Sequence, residues 1–571
     1  MNRYSRVKRV ALLCSVAGWM IAGSAGRALA ADAAEVMALM PADLPFTAVV
    51  TDFNRFDKNA EAFVKQISPD TTYSSPLKDI KEELGIGGWI DFSQPMGLAQ
   101  TKMGGGGSGL LWVIVPDFAA KVKEVSEAKE EEGVWHLPFK DSDELWIKPR
   151  GKYWIVATEK ESLAKAEAKE RTLGDEIKAR ADLLKGRDVF IHVNMDAVRP
   201  MALGGLAQAG MMAPMFAPAI AQQAGADPMV MMSAIASLVE SVKSFVEQVS
   251  YIDVTIGMTE SVGNVTIASG FKDGAIKKYL GEQKPAGTTL LSDVETQPFF
   301  LAAAYHFPGE KSPFFDYVIE KAAAAQAPPP GGSAPGSDTS KPADGSASAV
   351  KGSPITREFF AKAEGISVAI GVTPDGMAMA GAYRGAEPKR ILELAVLSLD
   401  PANAFFGKIS KGPTYEKIGS KPLPTGTVEE FAVKFDTSNP QLAATAQMYG
   451  KDPRCAFVVS DGMVRFAEGN GEFVAKALSS KLGKPMSTAP NVSEVLAALP
   501  AKRNAVVVID VASAISMMGP MLGMPAGAAV PPGAPVGISA SFSGEPARVD
   551  IHVPVQAIKR AASATKPQPP M

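Results

Sequence analysis

Along this chain, short runs of β-branched and aromatic residues are broken by turn residues and followed by stretches with helical spacing, and the same order of elements returns several times. Residues 254–278 (VTIGMTESVGNVTIASGFKDGAIKK), 368–390 (VAIGVTPDGMAMAGAYRGAEPKR) and 536–560 (VGISASFSGEPARVDIHVPVQAIKR) each read as two strands, a tight turn and a basic helix start. Upstream lies a buried-looking strand leading into a helix. Residues 188–201 (DVFIHVNMDAVRPM) and 504–518 (NAVVVIDVASAISMM) match closely, 299–318 more weakly, and 46–52 (FTAVVTD) begins the same way before a helix near 53–67. The full unit, A, is strand, helix, insert, hairpin, helix.

A second unit, B, occurs twice. Residues 145–158 (LWIKPRGKYWIVAT) read as a hairpin turning at 149–152, and 455–468 (CAFVVSDGMVRFAE) as one turning at Asp461-Gly462, a pair that supplies the positive φ angles of a two-residue turn. Helices over 160–171 and 472–481 follow. The order is A, B, A in residues 40–285 and again in 296–562, which implies tandem duplication of a half of about 250 residues. The expected fold is α+β: antiparallel sheets built from repeated strand-helix-hairpin-helix units, helices covering one face, and two pseudo-equivalent halves.

The inserts of the A units are compositionally odd. Residues 200–227 and 519–535 are rich in Met, Ala and Gly, whereas 327–354 has Val350 as its only large aliphatic residue and reads as a disordered loop. The tail 563–571 is read as disordered too. After the first insert, 229–249 predicts an amphipathic helix with Ile235, Leu238, Val239, Val242, Phe245, Val246 and Val249 on one face. The charged runs 124–132 (EVSEAKEEE) and 160–171 read as solvated helix faces.

Residues 1–30 read as a removable secretion signal: Arg3, Arg6, Lys8 and Arg9, an apolar stretch over 10–22, then Ala28-Leu29-Ala30 before Ala31. That stretch is too short to span a bilayer, and no later run is long enough for a membrane helix. Cys14 follows Leu13 instead of a small residue, which argues against a lipid anchor. The expected location is the periplasm or the extracellular space. Loss of Cys14 leaves Cys455 alone, so no disulfide forms within the chain and stability comes from core burial, for which 46% apolar residues suffice. The chain holds 58 Lys and Arg against 61 Asp and Glu, and five of the basic residues lie in the leader, so the remainder is acidic at −8. Such a balance disfavours nucleic acid and anionic lipid as partners.

Catalytic patterns are scarce. Gly104, Gly106 and Gly109 match a dinucleotide-type spacing but precede the strand 110–115 (LLWVIV), when a phosphate cradle must follow a strand and open a helix. Asp52, Asn54, Asp57 and Asn59 resemble a calcium loop, yet Phe56 and Asp57 take its fifth and sixth positions; Asp52 or Asn54 reads as a helix cap. His136, His192, His306 and His552 are scattered singly, and Cys455 reads as a small buried strand residue. Neither an H-E-x-x-H, a G-x-S-x-G nor a P-loop occurs. No catalytic residue, cofactor or metal ligand is assigned, and whether folding assembles a carboxylate pair is left to the structure.

Methionines are the most distinctive feature. Met211, Met212, Met215, Met229, Met231 and Met232, then Met517, Met518, Met521 and Met524, cluster in or beside inserts. Core packing, an adaptable apolar surface and a soft site for Cu(I) are the three readings. Met211, Met212, Met215, Met231, Met232, Met517, Met518 and Met521 stand as the candidate apolar contact surface.

Residues 40–52 (MPADLPFTAVVTD), 499–510 (LPAKRNAVVVID) and 113–118 (VIVPDF) resemble phrases of large exported proteins of planctomycete-type bacteria, in which an L-P-A-D-like start precedes a strand. The resemblance spans most of the chain after the leader and implies an exported duplicated α+β protein with no activity to carry over. The expected function is a non-enzymatic envelope protein that binds an apolar ligand or protein partner through its Met-rich inserts. The alternatives are a purely structural envelope component and an enzyme of unrecognised type.

Overall fold

A computed structural model describes residues 30–564 except 70, 85–89, 103–108, 117–128, 140–142, 168–170, 225–227, 284, 286–289, 307–353, 401–412, 439, 480–481, 519–532 and 545. The fold mixes helices with antiparallel strands, as the alternation predicts. The chain forms two compact units, the first from Met1–Pro200, Val249–Gly270 and Arg548–Ser563, the second from Met201–Gln248, Phe271–Ala547 and Ala564–Met571.

In the first unit β1 (Phe46–Val50) lies between β2 (Met96–Gln100) and β8 (Val189–Asn194). From β2 the ladder continues through β3 (Leu110–Ile114), β7 (Tyr153–Ala157), β6 (Asp143–Arg150), β5 (Val134–Phe139) and β4 (Lys129–Glu131). From β8 it continues through β9 (Val249–Met258) and β10 (Val262–Phe271) to the last strand, Ala547–Pro554. Thr266 Oγ1 donates to Asp550 at 2.6 Å across that final junction.

The sheet of this unit is covered on both faces, not one. Ala48, Val50, Trp112, Ile114, Val156 and Ile191 pack with Phe53 and Phe56 of the helix Phe53–Ile67. Val49, Leu111, Val113, Ile155 and Phe190 pack instead with Val36 and Met37 of the helix Ala30–Leu39, and with Leu163 and Ala166 of Lys160–Glu167. The strands say why: Tyr153–Ala157 is apolar at every position and Phe46–Val50 at all but Thr47, the mark of a strand buried on both sides. Asp52 caps Phe53–Ile67, accepting the Arg55 N–H at 2.8 Å.

In the second unit β11 (Leu301–His306) lies between β12 (Gly365–Thr373) and β18 (Ala505–Ile509). From β12 the ladder runs through β13 (Gly376–Arg384), β17 (Met463–Asn470), β16 (Pro453–Ser460), β15 (Gly426–Lys434) and β14 (Thr414–Leu423); from β18 it passes to β19 (Val536–Ser541). Subtracting ten from both strand numbers of any of these pairings gives a pairing of the first unit. The registers agree as well. Thr47 faces His192 and His192 faces Asp253, while Ala302 faces Val508 and Val508 faces Gly537.

Three expectations need correction. Residues 129–132 are not part of a helix: Lys129–Glu131 is a strand, because Glu132 and Gly133 take positive φ and turn it into β5. The Met-rich segment after β8 is not an irregular insert but the helix Met195–Ala224, since Ala, Leu, Met and Gln dominate it and their summed propensity outweighs its glycines and prolines. The predicted apolar face of the next helix, Pro228–Gln248, is not wholly inward, for Leu238, Val242 and Phe245 are exposed. The expected disordered loop 327–354 lies outside the described residues except for Pro354, which begins the helix Pro354–Lys362; of the expected disordered tail 563–571, residues 563–564 instead end the helix Val555–Ala564 and the rest lies outside the described residues, as do residues 1–29 of the expected leader. Among the described residues no helix is long and apolar enough to cross a membrane.

Candidate functional site

Strand β8 leads straight into Met195–Ala224, where the Asn194 side chain accepts the Asp196 N–H at 3.0 Å. The start of this helix is fixed further by Arg199, which donates to Asp196 at 2.5 Å and to the Val249 carbonyl at 2.6 Å. At the other end of the pair, Gln248 accepts the Lys272 and Ile276 N–H groups at 2.7 and 3.2 Å. A methyl built on Gly210 would stand 3.6 Å from Val239 Cγ1, so the two helices run side by side there.

What they leave exposed is apolar. Met211 and Met215 are each 74% exposed, Met201 56%, Phe216 53% and Leu238 63%, while Ala217 on the inner side is fully buried. At 100° per residue, Met201, Met211, Met212, Met215 and Phe216 occupy one arc about 140° wide. Full burial of such side chains contributes about 1.5–3 kcal/mol each, which folding leaves unused here.

The structure gathers Met211, Met212 and Met215 on this arc and places Met231 and Met232 on the second helix, Met232 half-buried. Met517 and Met518 belong to a separate helix, Val511–Met518, which leaves β18 as Met195–Ala224 leaves β8 and is capped by Asp510 at 3.2 Å. Met517 is half-buried; the side chains of Met231 and Met518, and Met521 altogether, lie outside the described residues. Among the described residues no group of three or more His, Cys, Asp or Glu could hold a metal ion. Asp57 is engaged by Tyr73 and Ser75 hydroxyls at 3.0 and 2.8 Å.

Two buried polar clusters were not anticipated. In the first unit His192 Nδ1 meets Asp253 Oδ1 at 2.7 Å, and Arg180 Nε donates to Asp253 Oδ2 at 2.7 Å. The Arg180 guanidinium also donates to the Glu176 carbonyl at 2.8 Å and lies 3.9 Å from the Tyr251 ring centre. All three side chains are shut away from solvent, and Thr47 Oγ1, Thr255 Oγ1 and Arg180 Nη2 beside them are buried without a hydrogen-bond partner. At the matching positions of the second unit stand Ala302, Val508 and Gly537. The sheet does not require this polarity, and a closed ion cluster of this kind fixes a conformation more readily than it turns over a substrate.

In the second unit Glu468 is buried on β17 directly across from Cys455 on β16. Tyr449 donates to its carboxylate at 2.8 Å, and Cys455 and Tyr415 bond it as well. Burial pushes the Glu468 carboxyl above its usual range, the three donors opposing this in part, and burial beside Glu468 raises the Cys455 thiol. Cys455 is thus buried, as its strand position suggests, but with a polar neighbour.

His192 and Asp253 each stand in a largely apolar strand, and a histidine or a carboxylate inside a buried run is the signal that points to them; pairing residues 61 apart is invisible to any spacing rule. No protein-family model, curated protein or solved structure matches this chain.

Proposed function

We propose that this chain is an exported, non-enzymatic envelope protein in which a duplicated α+β scaffold carries an apolar contact surface on the helix pair Met195–Ala224 and Pro228–Gln248. The observation that carries this reading is the exposure of Met211 and Met215, 74% each, on a helix whose start is held by Arg199. Contiguous exposed apolar side chains mark interaction sites, and unbranched thioether chains adapt to an apolar partner. The duplication reading is supported by the recurrence of the same strand pairings in both units, and the exposed apolar arc on the helix after β8 supports reading that helix pair as the part that carries the specific function.

Replacing Met211, Met215 and Phe216 together by Gln keeps helix propensity while removing the arc. Binding of an environment-sensitive apolar dye to the purified chain is expected to fall several-fold with the circular dichroism unchanged. Equal dye binding by the parent and the variant would remove this reading.

A further inference from the structure

Sulfur is distributed unevenly between the inside of this chain and its surface. Met37, Met40, Met96, Met195, Met258 and Met486 are buried, none more than 5% exposed, and Cys455 is buried as well. Among the described side chains, the methionines that stand exposed are Met201, Met211, Met212 and Met215, all on the helix Met195–Ala224 and all on its one apolar arc. Met195 and Met211 belong to the same helix, so the contrast comes from where each position faces and not from the element that carries it.

Oxygen added to a buried thioether puts a polar group into apolar packing and damages the fold. At the four exposed positions it stays in water. The helix beneath is held by contacts that contain no thioether: Arg199 to Asp196 and to the Val249 carbonyl at its start, and Ala217 on its inner side. Oxidation of the arc therefore changes the polarity of the surface and leaves the fold in place.

We infer that Met201, Met211, Met212 and Met215 form an oxidation site for peroxide-class oxidants, at which conversion to methionine sulfoxide switches the apolar contact surface off. This rests on the apolar-surface reading above and adds its regulation. In each step a thioether lone pair attacks one oxygen of hydrogen peroxide. The S–O bond forms as the O–O bond breaks, sulfur gives up two electrons, and the departing hydroxide takes the proton of the transferred oxygen and leaves as water. The side chain becomes polar and loses its fit to an apolar partner. Four such groups on one arc make the loss graded with the dose of oxidant. Because the sulfoxides lie open to solvent, a sulfoxide reductase has access to them; two thiols of its reductant become a disulfide as the oxygen departs as water.

The test treats the purified chain with hydrogen peroxide and quenches with free methionine. Peptide mass spectrometry is expected to find one added oxygen on Met201, Met211, Met212 and Met215 several-fold sooner than on Met195 or Met258, and binding of the apolar dye is expected to fall several-fold while the circular dichroism holds. Sulfoxide reductases for both epimers, supplied with a dithiol, are expected to restore it. Met201→Leu, Met211→Leu, Met212→Leu and Met215→Leu combined keep apolar side chains and helix propensity, so this variant should bind the dye as the parent does and lose nothing to peroxide. Full dye binding by the oxidised parent, equal loss in the Leu variant, or unfolding on oxidation would each overturn the switch and leave the surface reading standing. Failure of the untreated parent to bind the dye removes the surface, and the switch with it.

Discussion

Asp188 and Asn504 hold the same backbone hydrogen bond at matching strand starts: a carboxylate oxygen of Asp188 accepts the Met258 N–H at 3.4 Å, and the side-chain carbonyl of Asn504 accepts the Phe542 N–H at 2.7 Å. The backbone around them agrees too, for Asp188 N donates to Ile256 O at 2.9 Å and Asn504 N to Ala540 O at 2.8 Å. One unit therefore performs with a charged group, paired to Arg55, what the other performs with a neutral amide.

This makes Asp188→Asn a test of what the charge contributes. Burial raises the Asp188 carboxyl to about 6 in spite of Arg55, against about 3.9 in an unfolded chain. The folded state thus binds the proton more tightly, and the associated stability, on the order of 2–3 kcal/mol, is present below about pH 4 and lost as the pH rises through about 6. Denaturant unfolding of the first unit is expected to weaken over that window in the parent and to stay level in Asp188→Asn. A variant that tracks the parent would show the carboxyl to titrate normally.

Glu468 obeys the same sign in the second unit, because burial raises it too. Stability there is highest below its unfolded value and declines as the pH rises through the folded one. Glu468→Gln keeps an acceptor for Tyr449 and is expected to flatten the decline. Tyr449→Phe removes a donor that favours the ionised form, so the decline should move to higher pH, or steepen, when unfolding is followed by tyrosine absorbance and circular dichroism at several pH values.

Breaking the cluster around Asp253 should hurt more than deleting it. Asp253→Ala leaves Arg180 buried without its carboxylate and is expected to destabilise the first unit by about 3–5 kcal/mol. Combining Asp253→Val with Arg180→Met, His192→Val and Thr47→Ala, which imitates the apolar second unit, should recover most of that loss in thermal unfolding. Failure of the combined variant to recover would assign the polar groups a part in the fold that their counterparts do without.

Two glycines grade the strain of the hairpins. Gly462 has φ of 75° with open space around it, so Gly462→Ala should cost about 1 kcal/mol. Gly376 has φ of 129° and would place a Cβ 2.6 Å from the Met448 carbonyl, so Gly376→Ala must displace backbone and should cost clearly more. The difference is read from the unfolding midpoints.

The hairpin at Asp461-Gly462 was legible because that pair dictates its own turn between two runs of strand-forming residues. Asp52 was legible as a cap for a similarly local reason. Strand β14 was not, since Thr414–Leu423 is exposed over most of its length and shows no alternation to read; its Lys417 and Lys421 pair with Glu429 and Glu430 across the ladder. Met195–Ala224 was hidden by Gly204, Gly205, Gly210, Pro214 and Pro218, each of which suggests a break when taken alone. The exposure of Met211 follows from packing, which no local pattern records.

The pairing of β10 with Ala547–Pro554 sets a timetable for synthesis. Asn264 and His552 meet at 2.9 Å although 288 residues separate them. The first unit therefore cannot close its sheet until almost the whole chain has emerged, and throughout that interval β10 offers an unpaired edge to any neighbouring strand. A chaperone that shields nascent edges becomes a condition for the yield of this protein, and truncation before residue 547 would leave a species prone to aggregate, not merely a shorter one.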